Sequence, residues 1–417
     1  MERQKLMEFL ENNKDQMIAD LCEFVRIPSI SDNITEVRRA LDFIIDLGKR
    51  MGFEARSVLD GRVGLIEAGE GSETLGILSH VDVVSPGNLE AWQSQPFEPV
   101  IRDGSIYGRG TLDDKGAAIA SLYAMKAVTE LGIPLKKKVQ LILGTQEEVD
   151  WSDMRDYVKE FPLPDYGFTP DGEFPICNIE KGAMDVEILI PLEKPVGDGF
   201  FIIDFSGGTA TNIVPGEAEA RLLKRTAKAD GTFVEEEIKV SATGKAVHSC
   251  QPEKGDNAII NLCNMLLDMD LSDNTALRLV KELLRGFSDI YCRGIGLYSE
   301  NEYLNGEFIH RNTISVTRAE TKQEGIFANF NIRFSYGADD RDFVEAIDKV
   351  AAGIGGRVES INSLPAVYIS KEKPFLKGLA GAYEEISGLP NEFALAYGGS
   401  YAKAMENIVS WGPIFPG

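Results

Sequence analysis

Short apolar runs that each stop at a cluster of polar residues limit the folds open to this chain more than any other feature. Residues 63–68, 75–80 and 139–144 have the length of strands and are rich in Val, Leu and Ile. Around them lie stretches with helical spacing: 6–25, 37–51, which Gly52 can end, and 117–131, which stops at Gly132 and Pro134. Helix alternating with strand predicts an α/β layer on a central sheet. From about Ile179 to Leu192 the character changes. β-rich stretches at 236–242 and 326–334 are then separated by helical runs at 258–269 and 341–352. After about Lys373 the pattern returns to a helix, 375–387, followed by Gly398-Gly399-Ser400. The expected organisation is a discontinuous α/β domain, 1–188 and 374–417, interrupted by an inserted α+β domain, 189–373. A chain of 417 residues is long enough for two such units.

Composition narrows the function classes. A formal net charge of −23 repels phosphate backbones, and no basic run offsets it, so nucleic acid is excluded as a partner. No stretch approaches a membrane span, and residues 1–13 lack the apolar core of a secretory signal, so a cytoplasmic protein is expected. The five cysteines show no CxxC spacing, which argues against a thiolate metal site or a disulfide framework.

Four polar clusters carry the chemistry. His80-Val81-Asp82 closes the 75–80 run, and alternation along a strand puts His80 and Asp82 on one side, at the edge where α/β sheets hold ligands. An imidazole with a carboxylate behind it suits metal binding, although a lone pair of this kind is more often a surface loop. In Gly108-Arg109-Gly110-Thr111-Leu112-Asp113-Asp114-Lys115-Gly116 a helix cap accounts for one aspartate; two between glycines call for more, and one could bridge cations. Gly144-Thr145-Gln146-Glu147-Glu148 ends the 139–144 run with neighbouring glutamates whose side chains diverge, so that one can bind metal while the other moves protons. Thr169-Pro170-Asp171-Gly172 is turn chemistry by itself.

Taken together and in this order, the runs LSHVDVV, GRGTLDDKG, GTQEE and TPDGEFP resemble the motifs of the co-catalytic zinc exopeptidases. That family includes PepV-type dipeptidases, carnosinases, aminoacylases and succinyl-diaminopimelate desuccinylases, and the match sits nearest the PepV branch. The resemblance implies a zinc-exopeptidase catalytic domain with a central mixed sheet and a large inserted lid. It implies two zinc ions, with manganese or cobalt as substitutes. His80 and Asp171 are implied as ligands of one zinc, Asp113 as the bridge, Glu148 as a ligand of the other and Glu147 as the general base. Asp82 would orient His80, and the Asp113-Asp114 peptide would be cis. In the insert, Gly244-Lys245-Ala246-Val247-His248-Ser249 resembles the lid segment whose histidine stabilises the oxyanion. Asn212 resembles a lid residue near the reaction centre. Arg333 resembles the arginine that holds a substrate carboxylate, and Gly398, Gly399 and Ser400, with Tyr401 and Lys403, resemble the segment near the substrate's C-terminal carboxylate. His310 belongs to no motif and reads as structural.

The implied activity is hydrolysis of dipeptides by a metal-activated water. A deacylase of N-acyl or N-succinyl amino acids is the alternative with the same chemistry, and a non-catalytic peptide-binding protein the alternative from another class. The size of the insert favours a monomer whose own lid supplies the histidine; a dimer with that histidine crossing between subunits contradicts this. In the family a last histidine follows the segment that here reads 411–417 and completes the second zinc site. The sequence ends first, so the second zinc is expected to be weakly held or absent, and this form inactive, unless a tail supplies that ligand.

Overall fold

The computed structural model describes residues 2–416. The chain divides into two compact units, one of residues 1–178, 369–394 and 400–417, the other of residues 179–368 and 395–399.

The first unit is built on a mixed sheet. Its strands run in the order Glu54–Val58, Val63–Ala68, Lys138–Gly144, Thr74–His80, Tyr166–Thr169 and Ile408–Ser410. Thr74–His80 lies parallel to both Lys138–Gly144 and Tyr166–Thr169, with His80 opposite Gly144, whereas the first two strands join antiparallel. Strands buried on both faces carry few polar residues, which is why these read as continuous apolar runs. Helix Ile34–Arg50 shows how the sheet is covered. Asn33 caps it by accepting from the Glu36 amide, Val37, Ala40, Leu41, Ile44 and Ile45 line its buried face, and Gly52 at φ 90° follows its end. Each of the Val, Leu and Ile side chains contributes roughly 1.5–3 kcal/mol on burial. Helices Glu2–Val25 and Lys115–Glu130 add Phe24, Leu122 and Tyr123 to the same core.

Three parallel strands therefore end along one edge of the sheet. That edge delivers His80, the 145–148 turn and the Pro170-Asp171 turn side by side. The Asp113-Asp114 peptide, just before helix Lys115–Glu130, is cis.

The second unit is a seven-stranded antiparallel sheet in the order Phe233–Thr243, Glu217–Ala227, Gly199–Gly207, Thr313–Lys322, Gly325–Phe334, Gly182–Ile190 and Arg357–Leu364. Met184, Val186, Ile188 and Ile190 alternate onto its apolar face, where helices Ala258–Leu267, Thr275–Phe287 and Asp340–Gly353 pack. The opposite face carries a buried polar row: Asp185 Oδ1 accepts from the amides of Asn329 and Asn331 at 3.0 Å each, and Arg333 Nε donates to Asn331 Oδ1 at 3.1 Å.

Candidate metal centre

His80, the last residue of its strand, is 1% exposed. Its Nδ1 lies 2.9 Å from the Asp82 carbonyl oxygen and 3.4 Å from Asp82 Oδ1. That contact directs Nε2 toward Asp113 Oδ1 at 3.2 Å and Asp171 Oδ2 at 3.7 Å, yet Nε2 makes no hydrogen bond. A buried imidazole nitrogen without a hydrogen bond, facing two carboxylates, has the surroundings of a metal ligand. His80, Glu147 and Asp171 each bring a ligand atom within 4.8 Å of one another. Glu147, expected as the base, thus stands in the ligand-distance group, which does not include the expected ligands Asp113 and Glu148. Glu148 completes the surroundings with Asp113, whose charge it feels.

The electrostatics describe a site short of positive charge. Burial alone would lower the pKa of His80, but Asp113, Asp82 and Asp171 together raise it well above 6.5. Burial drives Glu147 well above 4.5; the His80 charge opposes this, and Asp171 and Glu148 add to it. Burial and the Asp113 charge bring Glu148 up to about 7. Carboxylates this crowded are stabilised by a cation, and one imidazole with several carboxylates is a donor set that zinc accepts. The residues present therefore fit a divalent metal.

Asp82 meets the His80 ring with its carboxylate, 3.4 Å from Nδ1, as well as with its carbonyl. The carboxylate also accepts from the amides of Glu147 and Glu148, both at 3.2 Å, and from Ser31 Oγ at 2.8 Å. A carboxylate at the sheet edge can satisfy the amides of an adjoining turn. Neighbouring residues of the same motifs support the site. Asp114 accepts from Ser79 Oγ and, at 3.2 Å, from the His80 amide, and Lys115 Nζ donates to the carbonyls of Phe24 and Ile27 at 3.1 and 2.7 Å.

The remaining expected residues fall elsewhere. Ser400 belongs to the first unit, where it is buried and its hydroxyl accepts from the Ala402 amide; Gly398 and Gly399 group with the second. Within the second unit, His248 pairs with Ile213, and Ser249 donates to the Asn212 carbonyl at 2.9 Å. The protein packed against one side of the exposed His248 ring, and then the Arg333 charge, hold its imidazole below 6.5. His248, Asn212 and Arg333 are thus brought into one neighbourhood of that unit. His310, read as structural, has Nδ1 3.3 Å from the buried Lys181 Nζ and an edge contact with Tyr397.

Residues 76–408 match the model of peptidase family M20/M25/M40. The chain belongs to that family. The protein named "Putative dipeptidase YtjP" of Bacillus subtilis is 34% identical to it, over 97% of this chain and 91% of its own length. "Putative dipeptidase MW1694" of Staphylococcus aureus is 31% identical, over 98% and 92%. Among solved folds of this family type, the dipeptidase Dug1p of Saccharomyces cerevisiae superposes with a TM-score of 0.63 at 13% identity, covering 98% of this chain and 91% of that one. Human carnosine dipeptidase 1 superposes at 0.61 with 16% identity, covering 98% and 91%. The resemblance of the four motifs to co-catalytic exopeptidases and the expected α/β fold with an insertion are borne out. No helix among the described residues is long and apolar enough to cross a membrane.

Proposed function

We propose that the protein hydrolyses the peptide bond of dipeptides in a metal-dependent reaction, with the first unit as the catalytic domain and the second as the lid. The observation that carries this is the meeting of His80, Asp113, Glu147, Glu148 and Asp171 at one sheet edge, with Glu147 among the ligand-distance groups. His80, Asp171, Asp113 and Glu148 are the residues of this sequence that would help to hold two zinc ions. When bound, the cations supply Lewis-acid polarisation of the scissile carbonyl and lower the pKa of water. Glu147 accepts the proton of the attacking water and returns it to the leaving amine; burial raises its carboxyl well above the ordinary 4.5, so it holds a proton more readily than a free glutamate. Asp82 and Asp114 keep His80 and the glutamate turn in place.

The lid residues belong to recognition. The motif resemblance assigns Arg333, His248 and Asn212 to this role, and within the second unit Arg333 is buried with its Nε donating to Asn331. The names of the curated relatives support dipeptides as the substrate class.

The test is a panel of dipeptides set against N-acyl and N-succinyl amino acids, run with zinc, manganese or cobalt. Dipeptide turnover is expected; cleavage of the acylated set alone would replace the reading with a deacylase, and binding without turnover would make the protein a peptide binder. Glu147→Gln is expected to lower kcat by about 10²–10⁴ while metal binding persists. Undiminished turnover in that variant removes Glu147 as the base.

A further inference from the structure

The turn that carries Glu147 and Glu148 is held from two sides. Its four consecutive amides, Thr145 to Glu148, donate to two buried carboxylates. Asp82 takes those of Glu147 and Glu148 at 3.2 Å each. Asp153 Oδ2 takes those of Thr145 and Gln146 at 2.6 and 3.1 Å. Asp153 stands in the first turn of helix Ser152–Glu160, where an aspartate is ordinarily an exposed partner of the helix dipole. Here it is 0% exposed, and only Oδ1 serves its own helix, accepting from the Met154 amide at 2.6 Å. Oδ2 is turned back toward the sheet edge. There it also receives the hydroxyl of Tyr401 at 2.7 Å.

Tyr401 links this carboxylate to the metal centre. It is fully buried, and its ring lies edge-on to His80 with centroids 6.2 Å apart and to Trp151 with centroids 5.3 Å apart. Trp151 in turn donates its indole N–H to the Glu147 carbonyl at 2.6 Å, from a left-handed backbone at φ 57° that a tryptophan adopts only when its surroundings enforce it. A Cβ on Gly144 would overlap the Tyr401 ring, so the glycine that ends the strand is what admits the phenol. One aromatic residue therefore packs against the ends of two of the three strands that bring chemistry to the edge. The turn's glutamates cannot shift relative to His80 without moving it.

We propose that Asp153 and Tyr401 are positioning residues of the reaction, fixing the Glu147–Glu148 turn relative to His80 as the counterpart of Asp82 on the other side. This rests on the reading of Glu147 as base and Glu148 as ligand. A group that orients the base without touching substrate affects the transition state more than substrate binding. Small displacements of reacting groups are costly: about 1 Å can lower a rate by roughly 100-fold.

The experiment uses the full chain with two conservative variants, Tyr401→Phe and Asp153→Asn, read by dipeptide kinetics and by the visible absorption of added Co²⁺. Tyr401→Phe keeps the ring and is expected to lower kcat about 10-fold with KM within about twofold, and Asp153→Asn to lower it about 100-fold. Both are expected to shift the Co²⁺ bands, because Glu148 rides on the same turn; a packing role alone would lower the melting temperature and leave the bands and kcat of the folded protein as in the wild type. Wild-type kcat and an unshifted Co²⁺ spectrum in folded Tyr401→Phe overturn the proposal. Glu147→Gln run alongside separates the two ideas. Full turnover in Glu147→Gln defeats the assignment of the base, whereas its silence beside an unimpaired Tyr401→Phe defeats only the positioning role.

Discussion

The pKa of His80 is raised well above 6.5 by Asp113, Asp82 and Asp171 despite burial, so the surrounding carboxylates favour its protonated form. A cation needs the neutral imidazole, so coordination must expel that proton. The sign follows: below the raised pKa, metal affinity climbs with pH, and the carboxyls of Glu147 and Glu148, also raised, push it the same way. Zinc titrated calorimetrically in buffers of different ionisation enthalpy is expected to show net proton release and an affinity rising by about tenfold per pH unit or more between about pH 6 and 8. A pH-independent affinity over that range would show that His80 is not a ligand.

At the scale of single elements, strand Val63–Ala68 buries a charged residue that its apolar run does not advertise. Glu67, 8% exposed, accepts from Arg56 at 2.6 Å and Gln140 at 2.8 Å and is paired with Lys138. Burial raises its pKa, but Lys138, Arg56 and Gln140 outweigh that and leave it below 4.5. A carboxylate lowered in the folded state stabilises the fold above its unfolded pKa and loses this as pH falls through the folded one. Glu67→Gln is therefore expected to cost about 1.5–3 kcal/mol near neutral pH, with the deficit shrinking at acid pH below 4.5. Urea denaturation of both proteins at several pH values measures this; an equal deficit throughout would mean that the charge is irrelevant and only shape matters.

The described residues form two hydrophobic cores, one around Phe24, Leu41, Ile44 and Leu141, the other around Val186, Ile188, Leu262 and Phe330. Units with cores of their own need not unfold together. All the proposed ligands lie in the first unit, so a bound metal stabilises that unit by mass action. Scanning calorimetry is expected to resolve two transitions, of which added zinc raises one. A single transition, or two that move equally, would show that the units unfold as one.

The sequence alone determined the alternation of elements in the first unit and the change of character near residue 179, and the resemblance of its four motifs named the candidate metal ligands. These were legible because period and turn chemistry are local: an apolar run ending in His80-Val81-Asp82 or in Gly144-Thr145-Gln146-Glu147-Glu148 announces a strand and its polar edge within a few residues. Tertiary structure alone decided the strand order that sets His80 opposite Gly144, the turning of the Asp82 carboxylate toward the Glu147 and Glu148 amides, and the meeting of Asp153 with a tyrosine 248 positions away. Such partnerships leave no local trace, because a buried carboxylate is defined by the donors that surround it, and those come from whichever segments the packed sheet brings to the same edge.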